Sequence, residues 1–304
     1  MKVLVLAEKM KEAVSVISSF GAKGIEAKYL RLSKVVLVSR KNETIIRLVN
    51  DNIEDYDAVY LIASPTLAPF VEPLIEELSS RGFYVNASPG SFYLSQNEPL
   101  LFVTLAMNNV SAPRAIISGS GKNIELISKK VSYPLIAKSF VGKDVQQSII
   151  ANNVKELTSF VNSIKKEVDG FMLREFIEAD LISCAVVGTN IFSIKRKLVD
   201  NTPQKLSKGS FYKLTDLEKE NVLLATKTCG LDIARVDLSK GKIVSVEPKI
   251  PFKSFNSVCS ENIESFAADL FAEKISKLER KSIFTELKSF KSIFSKTFFR
   301  GFFK

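Results

Sequence analysis

A chain of 304 residues, 46% hydrophobic and 25% charged, is long enough for two or three lobes with their own cores and has an ordinary globular composition. It contains no histidine, which excludes every mechanism built on an imidazole base and most zinc sites; chemistry falls to carboxylates, lysines, arginines, hydroxyls or a bound cation. The formal charge of +10 suits anionic partners such as nucleotides, nucleic acid or anionic lipid.

The first segment, KVLVLA, reads as a buried strand, and Glu8-Lys9 end its apolar run too early for a signal peptide. EKMKEAVSVISSF has helical spacing, KVVLVS is strand-like, and DAVYLIA (57–63) is the next strand. A helix from Leu67 to Ser80 and then FYVNAS follow. Strands separated by helix-length segments predict a parallel sheet covered by helices, a small Rossmann-like lobe over residues 1–88. AEKMKE after the first strand lacks a G-x-G-x-x-G fingerprint, which excludes a dehydrogenase.

Residues 88–117 predict a helix-bearing connection ending in a strand. Next come a helix around Ile124–Lys130, the strand YPLIAKSF (133–140), the strand QQSIIA and the helix NVKELTSFVNSIKKEV. Three strand-like runs, GFMLREFIE (170–178), ISCAVVG (182–188) and FSIKRKLV (192–199), precede a polar loop, DNTPQKLSKGS. The helix LEKENVLLATKTCG (217–230), a hairpin around the turn SKGK and a last helix at about 262–275 complete a domain over 89–275. Apolar runs such as VVLV and AVVG fall far short of the roughly 20 residues that span a bilayer. Three cysteines, Cys184, Cys229 and Cys259, lack metal-like spacing and fit packing roles in a reducing cytoplasm.

From about Ser276 the chain turns basic and Phe-rich. Ile283, Leu287, Phe290, Phe294 and Phe298 form one helical stripe, with lysines on the other side. Such an amphipathic helix over 276–304 packs on the body, lies peripherally on an anionic membrane surface, or contacts a partner or a second copy of the chain. Its basic-aromatic mix also suits single-stranded nucleic acid, but no nucleic-acid module is present, so that partner is not expected.

Three constellations bear chemistry. Lys138 ends a buried strand before the turn FVGKDVQQ, where an ammonium and backbone amides suit phosphate, although a lysine that snorkels to water reads the same way. FMLREFIEADL offers the Arg174-Glu175-Phe176-Ile177 backbone to a purine edge, with Glu178 or Asp180 as an acceptor for ribose hydroxyls. Asp237 and Glu247 lie on strands joined by SKGK, where two carboxylates on one side could hold magnesium or simply face water. Lys249, two residues further on, could place its ammonium in the same space.

The order of these features after a Rossmann-like lobe is strand–lysine–turn, acid-bearing linker, basic strand (Lys195-Arg196-Lys197), helix and acid hairpin. In this the chain resembles the ATP-grasp superfamily, whose members bind ATP between two α+β lobes and activate a carboxylate as an acyl phosphate. By DAVYLIA and LDIARVDLS…VEP it is most similar to carboxylate–amine ligases, among them ribosomal-protein glutamate ligases and tyramine–glutamate ligase-like proteins. The resemblance covers about residues 1–272. The fold class it implies combines α/β and α+β: a Rossmann-like lobe, a two-lobed ATP-grasp domain and a C-terminal basic amphipathic helix.

By that resemblance Lys138 contacts phosphate, Arg174 to Ile177 frame adenine, and Glu178 or Asp180 takes the ribose. Arg196, with Lys208 as a second basic residue, meets the transferred phosphate or acyl phosphate, and Asp237 and Glu247 bind magnesium. The chain departs from the pattern at three places. Glu98 stands where an earlier ATP lysine is usual, the glycine-rich loop shrinks to Gly142-Lys143-Asp144, and Lys249 replaces the asparagine that completes a second metal site. Two functions are therefore expected. One is an ATP-dependent ligase joining a small-molecule carboxylate to an amine, with a degenerate metal site in which Lys249 supplies the charge that a second metal gives in relatives. The other is a catalytically impaired nucleotide-binding or scaffold module docked by its C-terminal helix.

Overall fold

The computed structural model describes residues 1–278 except Asn42, Lys143, residues 165–167, Asp200 and Asn201. The expected stripe from Ile283 to Phe298 lies outside the described residues. The chain divides into two compact units. One comprises residues 1–62, 74–86 and the C-terminal segment from Glu264; the other comprises 63–73 and 87–263.

The first unit is built on β1 (Lys2–Ala7), α1 (Met10–Ala22), β2 (Glu26–Arg31), β3 (Val35–Arg40), β4 (Glu43–Leu48) and β5 (Ala58–Ile62). It continues with the second half of α2 (Ala68–Ser80) and β6 (Tyr84–Val85). A parallel sheet runs β2-β1-β5-β6. Val3 to Ala7 of β1 are wholly buried, as a central parallel strand apolar on both faces requires. α1 buries Ala13, Val16 and Phe20, a stripe at helical spacing.

KVVLVS does not join this sheet. As β3 it pairs antiparallel with β4, and the place beside β1 belongs to β2, an edge strand whose charged alternation hides it in the sequence. The helix expected to close the second domain is described over 263–278 and packs in the first unit. Its Phe271 ring lies 5.3 Å from Phe20, 5.2 Å from Tyr60 and 4.8 Å from Tyr84. Each such ring pair contributes roughly 1 kcal/mol beyond its buried area.

The second unit begins with α3 (Ser91–Gln96), α4 (Glu98–Met107), β7 (Ala115–Ser118), α5 (Gly121–Ile127), β8 (Leu135–Val141), β9 (Asp144–Ala151), α6 (Val154–Ser163) and β10 (Gly170–Glu175). Its first sheet is antiparallel, ordered β7-β10-β8-β9. One face buries Leu135, Ala137, Phe171 and Leu173 against Ile124 of α5 and Leu157 and Phe160 of α6. The other packs Phe140 and Met172 on Phe102 of α4. Side chains alternate along β8 and β10, so Lys138, opposite Met172, and Arg174 share that second face. The reduced glycine loop is a tight β8–β9 connection, with Gly142 at φ +57° and its amide donating to Asp169.

A second sheet follows from β11 (Leu181–Val187), β12 (Asn190–Arg196), a minor hairpin of β13 (Leu198–Val199) and β14 (Thr202–Pro203), and β15 (Ser210–Phe211). α7 (Asp216–Thr228), β16 (Ile233–Ser239), β17 (Lys242–Glu247) and α8 (Phe252–Cys259) complete the unit. The sheet order is β15-β12-β11-β16-β17, all antiparallel. Lys240 and Gly241, both at positive φ, form the two-residue turn between β16 and β17. Among the described residues no helix is long and apolar enough to cross a membrane.

Candidate functional site

Register decides what the acid hairpin can do. Arg235 of β16 pairs directly with Glu247 of β17, and Asp237 pairs with Ser245. On the other side of β16, Asp237 lies opposite Ser183 of β11. Residues two apart on a strand share a face, so Arg235, Asp237, Ser245, Glu247 and Ser183 all project from one side of the sheet. Arg196 of β12 reaches the same group, donating through Nη1 to Ser183 Oγ at 3.2 Å and through Nε to the Gln204 carbonyl at 2.6 Å. The sequence-expected Arg196, Asp237 and Glu247 are thus brought together.

Between the two acids sits a cation that the sequence reading assigned no role. Arg235 Nη2 lies 2.5 Å from Glu247 Oε1 and 3.5 Å from Asp237 Oδ2. Ser245 Oγ donates to Asp237 Oδ2 at 3.1 Å. Asp237 is only 5% exposed, and its Oδ1 is buried without a hydrogen-bond partner, as is Nε of Arg235. Burial pushes the Glu247 carboxyl above its ordinary range and Asp237 adds to the rise, while Arg235 opposes it. Burial likewise draws Arg196 below the usual guanidinium range, offset by Asp237 and reinforced by Arg235.

Lys249 was expected in this space. It follows Pro248 just past the end of β17, and Arg235 is directly cross-strand from Glu247, which puts a guanidinium on the pair as well. Two carboxylates, one of them with a buried oxygen that lacks a partner, form a donor set that fits a hard cation. Among the described residues no group of three or more His, Cys, Asp or Glu could hold a metal.

The first sheet carries the mirror arrangement. Asn97 caps α4 by accepting from the Leu100 amide at 3.0 Å, which sets Glu98 at the first helical position, where a carboxylate is favoured by the helix dipole. From there Glu98 pairs with the Lys138 ammonium and lies 3.7 Å from Arg174 Nη1. The Arg174 guanidinium stacks over Phe102 at 5.2 Å and donates to the Val244 carbonyl at 3.3 Å, tying β10 to β17. Burial lowers its proton affinity, which Glu98 partly restores. Glu98, noted in the sequence as a missing lysine, therefore supplies the anion that Lys138 and Arg174 would otherwise seek.

The expected adenine-framing segment borders two cavities. One of about 320 Å³ is lined by Arg114, Val131, Tyr133, Pro134, Arg174 and Phe176, among others, and another of about 260 Å³ by Pro134, Phe176, Ile177, Glu178, Lys240 and Lys242. Volumes near 300 Å³ suffice for a ring-sized ligand. Glu175 binds Lys242 Nζ at 2.9 and 2.7 Å, and that hydrogen bond holds its carboxyl below the usual range against the opposing effect of burial. Of the two acids offered for a ribose, Glu178 borders a cavity. Asp180 instead pairs with Lys195 at 3.2 Å and accepts from the Leu198 amide. Lys208 is exposed on a short turn over 206–208.

One antiparallel sheet of this unit presents paired cations and the other paired acids with an arginine, an arrangement that resembles the ATP-grasp carboxylate–amine ligases. More particularly, residues 97–247 match the RimK-like ATP-grasp domain. Over 199 residues the chain is 24% identical to a probable alpha-L-glutamate ligase of Haemophilus influenzae, a match covering 62% of this chain and 66% of that protein. Over 279 residues it is 22% identical to beta-citrylglutamate synthase B of Danio rerio, covering 84% and 68%. A solved structure of the ATP-grasp ligase PsnB with minimal precursor, Mg and ADP superposes with a TM-score of 0.65 at 12% identity, covering 90% of this chain and 97% of that one. The chain covers just under two thirds of the length of the glutamate ligase.

Proposed function

We propose that the chain is an ATP-dependent ligase that joins a carboxylate to an amine through an acyl phosphate. One observation carries this: Arg196, Asp237 and Glu247 converge on one sheet face, in the same compact unit as Lys138 and Arg174. Lys138 and Arg174 bind nucleotide phosphates once Glu98 turns away, and Phe176 and Ile177 frame the base in the cavities beside Pro134. Arg196 stabilises negative charge on the transferred phosphoryl group, a role that rests on positioning and charge rather than covalent chemistry. Asp237 and Glu247 would hold magnesium, which when bound neutralises the charge developing on the phosphates. The names of the relatives make glutamate the first substrate to try.

A second reading has its own observation. Glu98 on Lys138 and Arg235 on the two acids suit a module that binds nucleotide without transferring phosphate. One assay separates them. The full chain is incubated with ATP, magnesium, glutamate and a panel of carboxylic acids, and ADP and amide are measured together. A ligase releases both in equal amounts and loses both in Lys138→Ala and Arg196→Ala. Nucleotide binding with neither product over the whole panel would favour the module.

A further inference from the structure

We propose that Arg235 is the resident cation of this site: its guanidinium occupies the place of a divalent metal on Asp237 and Glu247, and arginine and metal hold that place by turns. The proposal rests on the ATP-grasp reading only for naming the place a metal site.

The geometry is that of a stand-in rather than a finished salt bridge. A guanidinium built to fix two carboxylates makes paired, parallel hydrogen bonds and leaves few lone pairs unused. Arg235 instead makes one short contact, to Glu247 Oε1, and a longer one, to Asp237 Oδ2. Two bonds go unmade: Asp237 Oδ1 and Arg235 Nε are both buried without partners. A buried carboxylate oxygen with no donor is costly, and it is the group a hard cation would bind. The cross-strand register places Arg235 against Glu247 without any chain rearrangement, so the arginine closes on the acids whenever no other cation is there.

Charge makes the two occupants exclusive. Two acids and two arginines, Arg235 and Arg196, leave no net charge, and a dication added beside a seated guanidinium would make the group strongly positive in a place largely withdrawn from water. Metal entry therefore requires Arg235 to leave, and removing Arg235 uncovers a cation site. The nearby Arg196 already bonds Ser183 and the Gln204 carbonyl, so it is not free to replace Arg235.

Manganese binding by the full chain, followed through the electron paramagnetic resonance signal of free Mn²⁺ without nucleotide or substrates, tests this directly. Arg235→Ala is expected to bind Mn²⁺ roughly tenfold more tightly than wild type, a typical coupling between competing occupants. Arg235→Gln, which keeps most of the volume and drops the charge, should do the same and serves if the alanine variant fails to fold. Arg235→Lys should stay near wild type, and Asp237→Asn added to Arg235→Gln should abolish the gain. Equal Mn²⁺ affinity in wild type and Arg235→Gln, or a gain that survives Asp237→Asn, would overturn the proposal. Because no ATP, acid or amine is present, the result stands whether or not the chain ligates.

Discussion

The Glu98 cluster and the Arg235 cluster are opposites in charge and alike in design. In the first, two cations meet one acid; in the second, two acids meet one cation. They differ in how firmly the odd charge is held. Glu98 stands at the first position of a helix, whereas Arg235 sits within β16, flanked by β11 and β17. An anion should therefore displace Glu98 more readily than a metal displaces Arg235. Anion entry at the Glu98 cluster is the easier step and metal entry at the Arg235 cluster the harder one.

The largest expected effect tests the easier step. Glu98→Gln leaves Lys138 and Arg174 without their internal anion, and ADP binding in the presence of a chelator should tighten by roughly tenfold, measured by isothermal titration calorimetry. Unchanged ADP affinity would mean that the Lys138 cluster is not an anion site, and the comparison would break at its first half.

A smaller effect concerns the contact that links the lobes beside the cavities. The Glu175 carboxyl titrates below its ordinary value of 4.5 because Lys242 bonds it. A group with a depressed folded pKa adds stability above the unfolded value, and that stability is lost as pH falls through the folded one. Lys242→Ala should therefore flatten the acid limb of a melting-temperature profile below about pH 5 by a degree or two. Glu247 runs the other way: its raised value means stability is lost as pH rises through a value above 4.5. An acid limb unchanged in Lys242→Ala would remove Glu175 from the account.

Much of the fold was legible because buried strands announce themselves. KVLVLA, DAVYLIA, YPLIAKSF and ISCAVVG are apolar runs that became β1, β5, β8 and β11. EAKYLR and ETIIRL were not legible, since a strand with one wet face alternates apolar and charged residues over too short a span to separate from a loop. The acids of the candidate site were legible by type and by their shared hairpin. Arg235 was in plain view as R-x-D, the spacing that puts two side chains on one strand face, but its contact with Glu247 depends on a cross-strand register that the bulge after Asp237 helps set. Glu98 was visible as a departure, but not as the partner of a lysine 40 residues away.

The most direct measurement of the central claim is the magnesium dependence of ADP binding by calorimetry, in wild type and in Arg235→Gln. If Arg235 holds the metal's place, magnesium tightens ADP binding little in wild type and severalfold in Arg235→Gln. An equal magnesium effect in the two proteins would contradict it.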